Sequence, residues 1–304
     1  MPRKTEMTPT APLTVPAALA RDDRPRDDEL DLFGITHAGL VRADNQDHFL
    51  LCTVHPQVVV HATSLPPSAE FAPLGQRLAT LMLVADGVGG SAAGSRASRI
   101  ATEAVTRYVA SSLRCYQSSG TASEGEFEAT LLAAAIEAHH AVRSEAEAEP
   151  DEAGMATTLS LGIVIWPWMY VVQVGDSRCY LFHDGVLRQL TRDQTFAQEL
   201  IEQGVFTRED AKASPLNHIL SSALGASEAL PEVTRVDVRT RGCVIFVCTD
   251  GLTKHVSDAE IGEHLASMVS AEQVCHTLLD LALSRGGSDN ITLVAGRALV
   301  RRDS

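Results

Sequence analysis

Leu81-Met82-Leu83-Val84-Ala85-Asp86-Gly87-Val88-Gly89-Gly90 sets an apolar run of strand character directly against a carboxylate and a glycine-rich turn. The same grammar returns at Val244-Ile245-Phe246-Val247-Cys248-Thr249-Asp250-Gly251. Unbroken apolar runs of this length read as strands buried on both faces, and each of these delivers an aspartate at its tip. A carboxylate at the end of a rigid strand is held in a fixed place, and the glycine after it permits either close backbone approach or a positive φ. Three further acidic clusters lie where strand-like runs stop or turns begin: Arg42-Ala43-Asp44-Asn45-Gln46-Asp47, Gly175-Asp176-Ser177-Arg178 and Gly287-Ser288-Asp289-Asn290. Converging carboxylates repel one another unless a cation sits between them, and hard oxygen donors suit Mg²⁺ or Mn²⁺.

Outward from the turn at 87–90, Ala97, Ile100, Ala101, Ala104, Val105, Tyr108 and Val109 recur at helical spacing, and Phe127, Leu131, Ala135, Ala138 and Val142 mark a second helix. The Ser/Gly/Thr-rich stretch 117–125 between them predicts a loop. Strands dominate 157–190, where 159–174 reads as two buried strands joined at Trp166-Pro167-Trp168, because proline is badly placed in a strand interior. Asp184-Gly185 between apolar runs is a hairpin signal. Residues 191–213 turn helical. Capping boxes are predicted from Thr207 to Asp210, Ser257 to Glu260 and Ser270 to Gln273, the last two opening helices striped with Ile261, Leu265 and Met268 and with Val274, Leu278 and Leu281. A final strand is expected over 291–298. The proline-bearing stretch 53–77 allows either a hairpin carrying Val58-Val59-Val60 or an irregular excursion. Strands at both ends of the chain with two long helices between them predict sheets covered by helices, an α+β layered domain.

At 304 residues and 45% hydrophobic composition the chain can bury a large core, and one domain is preferred because the acidic clusters span it. A net charge of −14 argues against nucleic acid or an anionic membrane as partner. Six cysteines without a C-x-x-C pair fit free thiols in a reducing compartment. Residues 1–30 are rich in Pro, Thr, Ala and charge and read as a disordered tail with no secretory signal, and 159–174 is short for a membrane span. A cytoplasmic protein is expected. The histidines show no metal-ligand spacing.

In their order and separations the five clusters, joined by Gly154-Met155-Ala156-Thr157-Thr158, resemble the metal-dependent type 2C Ser/Thr protein phosphatases, bacterial branch, over roughly residues 31–300. The resemblance implies a β-sandwich of two antiparallel sheets flanked by helical pairs. It implies hydrolysis of phosphoserine and phosphothreonine in proteins by water activated between two Mn²⁺ or Mg²⁺ ions. Asp86 would bridge the two ions, the Gly87 carbonyl would bind the first, and Asp250 and Asp289 would bind the second. Asp176 would help hold a third, looser ion. Arg42 would bind the substrate phosphate, and Asp47 would order metal-site water. Gln46 stands where animal members carry glutamate, and Val88 where they carry a histidine proposed as general acid. Residues 191–228 would form a mobile flap beside the site. Phosphorylated proteins and a bacterial Ser/Thr kinase are the implied partners; alternatives are a partner-switching phosphatase acting on anti-sigma-factor antagonists or a pseudophosphatase that binds phosphoproteins without cleaving them.

Overall fold

The computed structural model describes residues 24–55, 58–63, 77–89, 91–119, 124–148 and 154–301. The tail reading therefore falls mostly outside the described residues. β1 (Leu30–His37) pairs edge to edge with β13 (Ile291–Ala298), Leu30 facing Ala298 at one end and His37 facing Ile291 at the other. β12 (Val244–Cys248) and β9 (Arg178–His183) follow, and β10 (Val186–Gln189) closes a five-stranded sheet. The second sheet has six strands in the order β11 (Glu232–Asp237), β8 (Trp168–Val174), β7 (Leu159–Ile165), β4 (Ala79–Ala85), β2 (His48–Val54) and β3 (Val58–Thr63). All these pairings are antiparallel. A short ladder joins β5 (Gly87–Val88) to β6 (Ala156–Thr157).

The period-2 geometry of a strand explains why the two deciding runs are apolar throughout. In β4, Leu81, Leu83 and Ala85 face a core built with α1 (Ser91–Ser119) and α2 (Glu124–Ala148), while Met82 and Val84 face the space between the sheets. In β12, Ile245 and Val247 meet them there. Val244, Phe246 and Cys248 turn outward to a third core shared with α6 (Asp258–Ala266) and α7 (Ala271–Ser284). The result is a β-sandwich with a helical layer on each face, the α+β class expected. Both Trp166-Pro167 and Asp184-Gly185 are two-residue hairpin turns, the second with φ 48° and 75° at its two residues, the left-handed pair of a type I′ turn.

Two local expectations change, and one open alternative is settled. Residues 117–119 belong to α1, so any connection to α2 is shorter than the 117–125 loop predicted; helix propagation outweighs the Ser-rich composition. The 53–77 stretch does carry a hairpin strand, β3, paired to β2 with a register shift at Leu51/Cys52. Boxes close reciprocally at Thr207/Asp210 and Ser257/Glu260. At Ser270 only the hydroxyl caps, because the Gln273 side chain accepts instead from Val269 N–H at 3.1 Å. No described helix is long and apolar enough to cross a membrane.

Candidate active site

Antiparallel register brings the acidic clusters to one end of the sandwich. Asp47 precedes β2, Asp86 follows β4 and Asp176 follows β8 in one sheet; Asp250 follows β12 and Asp289 precedes β13 in the other. Asp47 links the two sheets: its Oδ2 accepts from the hydroxyls of Thr249 at 2.8 Å and Thr292 at 2.7 Å, while its buried Oδ1 has no protein partner. Burial, followed by the charges of Asp250 and Asp289, pushes the Asp47 carboxyl up to about 7 despite those two hydroxyls. The Asp86 backbone is clamped at both poles. Its N–H donates to Thr158 Oγ1 at 3.0 Å, and its carbonyl accepts from Thr158 N–H at 2.9 Å and the Thr157 hydroxyl at 2.8 Å. The threonines are thus the rigging of the strand tip.

The glycines after the two leading aspartates serve close approach rather than unusual φ. Neither has a left-handed φ. A methyl group on Gly87 would run into the carbonyl oxygen of Gly94, and one on Gly251 into that of Asn290. Asp250 opens the one-turn helix α5 (Asp250–Thr253), and the backbone N–H of Lys254 donates to its carbonyl at 2.9 Å. The turn brings Lys254 Nζ to 2.6 Å from Asp250 Oδ2 and 2.7 Å from Asp289 Oδ2. On its other flank Asp289 takes Arg42 Nε at 2.8 Å and Nη2 at 3.0 Å, the bidentate geometry of a guanidinium on a carboxylate.

These pairings sort the titration behaviour of the cluster. Burial acts to raise Asp289, but hydrogen bonds from Arg42 and Lys254 outweigh it and hold the carboxyl below its usual value. Burial would lower Lys254, and Asp250 together with Asp289 instead keeps its ammonium charged beyond the usual range. Burial drives Asp86 and Asp176 well above theirs, with Asp250 adding to both and Asp47 and Asp176 adding to Asp86. The five carboxylates are therefore electrostatically one group, short of positive charge.

Asn290 is the fastener that sequence reasoning passed over. Its Nδ2 donates to the carbonyls of Ala38 and Asp44, both at 2.9 Å, and its Oδ1 accepts Gln46 N–H at 2.9 Å. It thereby fixes the loop that carries Arg42 against the strand end that carries Asp289. Lys254 was also missed, although its i,i+4 spacing from Asp250 at a helix start was a readable signal. The turn bearing Asp176 is locked by Gln173, which donates to Gly175 O at 2.9 Å and Ser177 O at 2.7 Å, and by Gln194, which accepts Gly175 N–H at 2.8 Å. Gln194 also lies near the start of the 191–228 segment, which carries α3 (Phe196–Glu202) and α4 (Arg208–Ala213) and has a Thr195–Leu220 bridge at its base. Val88 stands 42% exposed beside Asp86.

The donor set fits a hard divalent cation. It offers carboxylate oxygens and backbone carbonyls, and two buried oxygens, Asp47 Oδ1 and Asp250 Oδ1, lack any hydrogen-bond partner. Among the described residues no three His, Cys, Asp or Glu side chains stand close enough together to grip one ion; Asp250 and Asp289 are turned instead toward Lys254 and Arg42.

Residues 72–283 match the model of the protein phosphatase 2C family. The chain is 37% identical over 216 residues to the serine/threonine protein phosphatase PstP of Mycobacterium tuberculosis, covering 71% of this chain but only 40% of that protein's length. It is 34% identical over 223 residues to the serine/threonine phosphatase stp of Listeria monocytogenes, covering 73% of this chain and 84% of the relative. A solved catalytic domain of PstP in complex with two manganese ions superposes with a TM-score of 0.67 at 32% identity, covering 89% of this chain and 99% of that one.

Proposed function

The chain belongs to the protein phosphatase 2C family, and on that footing we propose that it hydrolyses phosphoserine and phosphothreonine in proteins with two Mn²⁺ or Mg²⁺ ions. The observation that carries the reading is the gathering of Asp86, Asp176, Asp250 and Asp289 at one end of the sandwich with the Arg42 guanidinium among them. The two-manganese complex of the PstP catalytic domain and the names of both relatives support it. The catalytic domain spans residues 31–300.

Asp86, the Gly87 carbonyl, Asp250 and Asp289 would hold the two ions, with Asp176 available to a third, and the ions would supply charge that polarises water and phosphoryl oxygens. Arg42 offers a half-exposed planar guanidinium suited to phosphoryl oxygens, and its pairing with Asp289 holds it beside the acidic cluster. Asp47 keeps one oxygen fixed by Thr249 and Thr292 and presents the other as an acceptor that orders water. Val88 has no proton to give, so the leaving oxygen departs without help from that position. Thr157 and Thr158 hold the Asp86 tip still, which preserves the geometry on which in-line attack depends. In the cell we place the enzyme in the cytoplasm, opposing a Ser/Thr kinase and acting on that kinase's targets.

Phosphate release from a phosphothreonine peptide, measured with and without Mn²⁺, tests the activity. Release that requires the metal is expected. A folded protein that binds Mn²⁺ and releases no phosphate would overturn it.

A further inference from the structure

Lysine is scarce here: among 25 basic residues it stands only at positions 4, 212 and 254. One of the three lies in the acidic centre. Lys254 Nζ bridges Asp250 Oδ2 at 2.6 Å and Asp289 Oδ2 at 2.7 Å, its side chain 24% exposed. An arginine pairs as a fork with one carboxylate, as Arg42 does with Asp289, whereas an ammonium is a compact charge that fits between two. The tether is short, because α5 gives Lys254 one helical turn of separation from Asp250 and a backbone bond to it. A single positive charge satisfies one oxygen of each carboxylate and leaves Asp250 Oδ1 buried without a partner. Arg42 supplies a second positive charge at Asp289, whereas Asp250 is paired with Lys254, which leaves its Oδ1 uncovered.

We propose that Lys254 is the resident counter-ion of the metal-free centre, seated between Asp250 and Asp289, and that a divalent cation must displace its ammonium to bind those two carboxylates. The inference rests on the reading of Asp250 and Asp289 as metal ligands. It gives the chain its own threshold: the second ion enters only at concentrations high enough to outcompete a tethered cation, and the ordered metal-free state persists below that. The ammonium keeps its protons throughout and moves only by side-chain rotation.

Calorimetric titration of Mn²⁺ into the parent, Lys254→Met and Lys254→Gln at about 0.1 and 0.5 M KCl tests this. The weaker of the two dissociation constants should fall about tenfold in both variants, since like charge at contact distance is removed. The difference should persist at the higher salt, where charges beyond about 5 Å are screened. Melting temperatures should fall in chelator and converge with the parent's at saturating Mn²⁺. In the parent itself, acylation of Lys254 followed by peptide mass spectrometry should rise when Mn²⁺ is added. A parent that binds two Mn²⁺ ions with affinities matched by both variants, or with unchanged Lys254 labelling, overturns the inference alone. Parent and variants that all fail to bind Mn²⁺ overturn the metal reading and this inference with it.

Discussion

Val88 is where one side chain has a chemical consequence separable from the metals. It stands beside Asp86 at the rim, 42% exposed, and an isopropyl group cannot protonate a departing oxygen. Turnover should therefore fall steeply as the leaving-group pKa rises, with aryl phosphates cleaved well and alkyl phosphates lagging. Val88→His should raise the rate selectively for the alkyl esters, by about tenfold or more, because general acid catalysis helps only where charge develops on the leaving atom. The measurement is kcat for a series of phosphate monoesters on both proteins; equal slopes would show that another donor already serves.

Elements meet at this site through bonds that span most of the chain, and Asn290 is the clearest case. It is 4% exposed and its three hydrogen bonds reach Ala38, Asp44 and Gln46. Asn290→Ala should cost about 2–3 kcal/mol by leaving buried polar groups unpaired. It should also raise KM more than it lowers kcat, because the Arg42 loop loses its fastening. Urea denaturation and peptide kinetics check the two halves. The contrast between what the sequence disclosed and what it hid follows from range. β4 and β12 were legible because both faces of each are covered, so period and composition agree locally. Asp86, Asp176, Asp250 and Asp289 were legible because each ends or begins a strand. Asn290 and the Thr249–Asp47–Thr292 bridge were not, since their meaning lies in partners up to about 250 residues away. The tail of α1 was misread for the opposite reason, a local Ser-rich composition that the growing helix overrides.

At the scale of the whole molecule, the end of the sandwich remote from the acidic centre is closed by a charge cluster of its own. Glu29 is buried, and its carboxylate takes Arg301 Nε at 2.8 Å, Arg26 N–H at 2.7 Å and Arg241 Nη2 at 3.2 Å. The Arg301 bond, then the Arg26 N–H, hold its carboxyl down to about 2 against the opposing effect of burial. A carboxyl lowered on folding contributes stability above its unfolded value near 4.5 and loses it as pH falls toward 2. Glu29→Gln should thus cost about 1–2 kcal/mol at neutral pH, the worth of hydrogen bonds to a charged group. Parent and variant should converge near pH 2. Urea midpoints across that range would show it, and a gap that does not close on acidification would contradict the assignment.

Because Leu30 faces Ala298 across one rung of the β1–β13 ladder, the two ends of the folded body lie side by side, some eight residues or about 25 Å of strand from the end that bears Asp289. The strand body from Leu30 to Ala298 is topologically almost a ring. A glycine linker from 301 to 26 would close it with the Glu29 cluster kept, and the ring could be reopened at the Asp184-Gly185 hairpin tip without breaking a strand pairing. Such a permuted chain should fold and retain its cation affinity. Cargo fused beside Leu30 or Ala298 would ride at the end remote from the acidic centre, and cargo fused at the new ends would ride at that same end on another strand of the sheet.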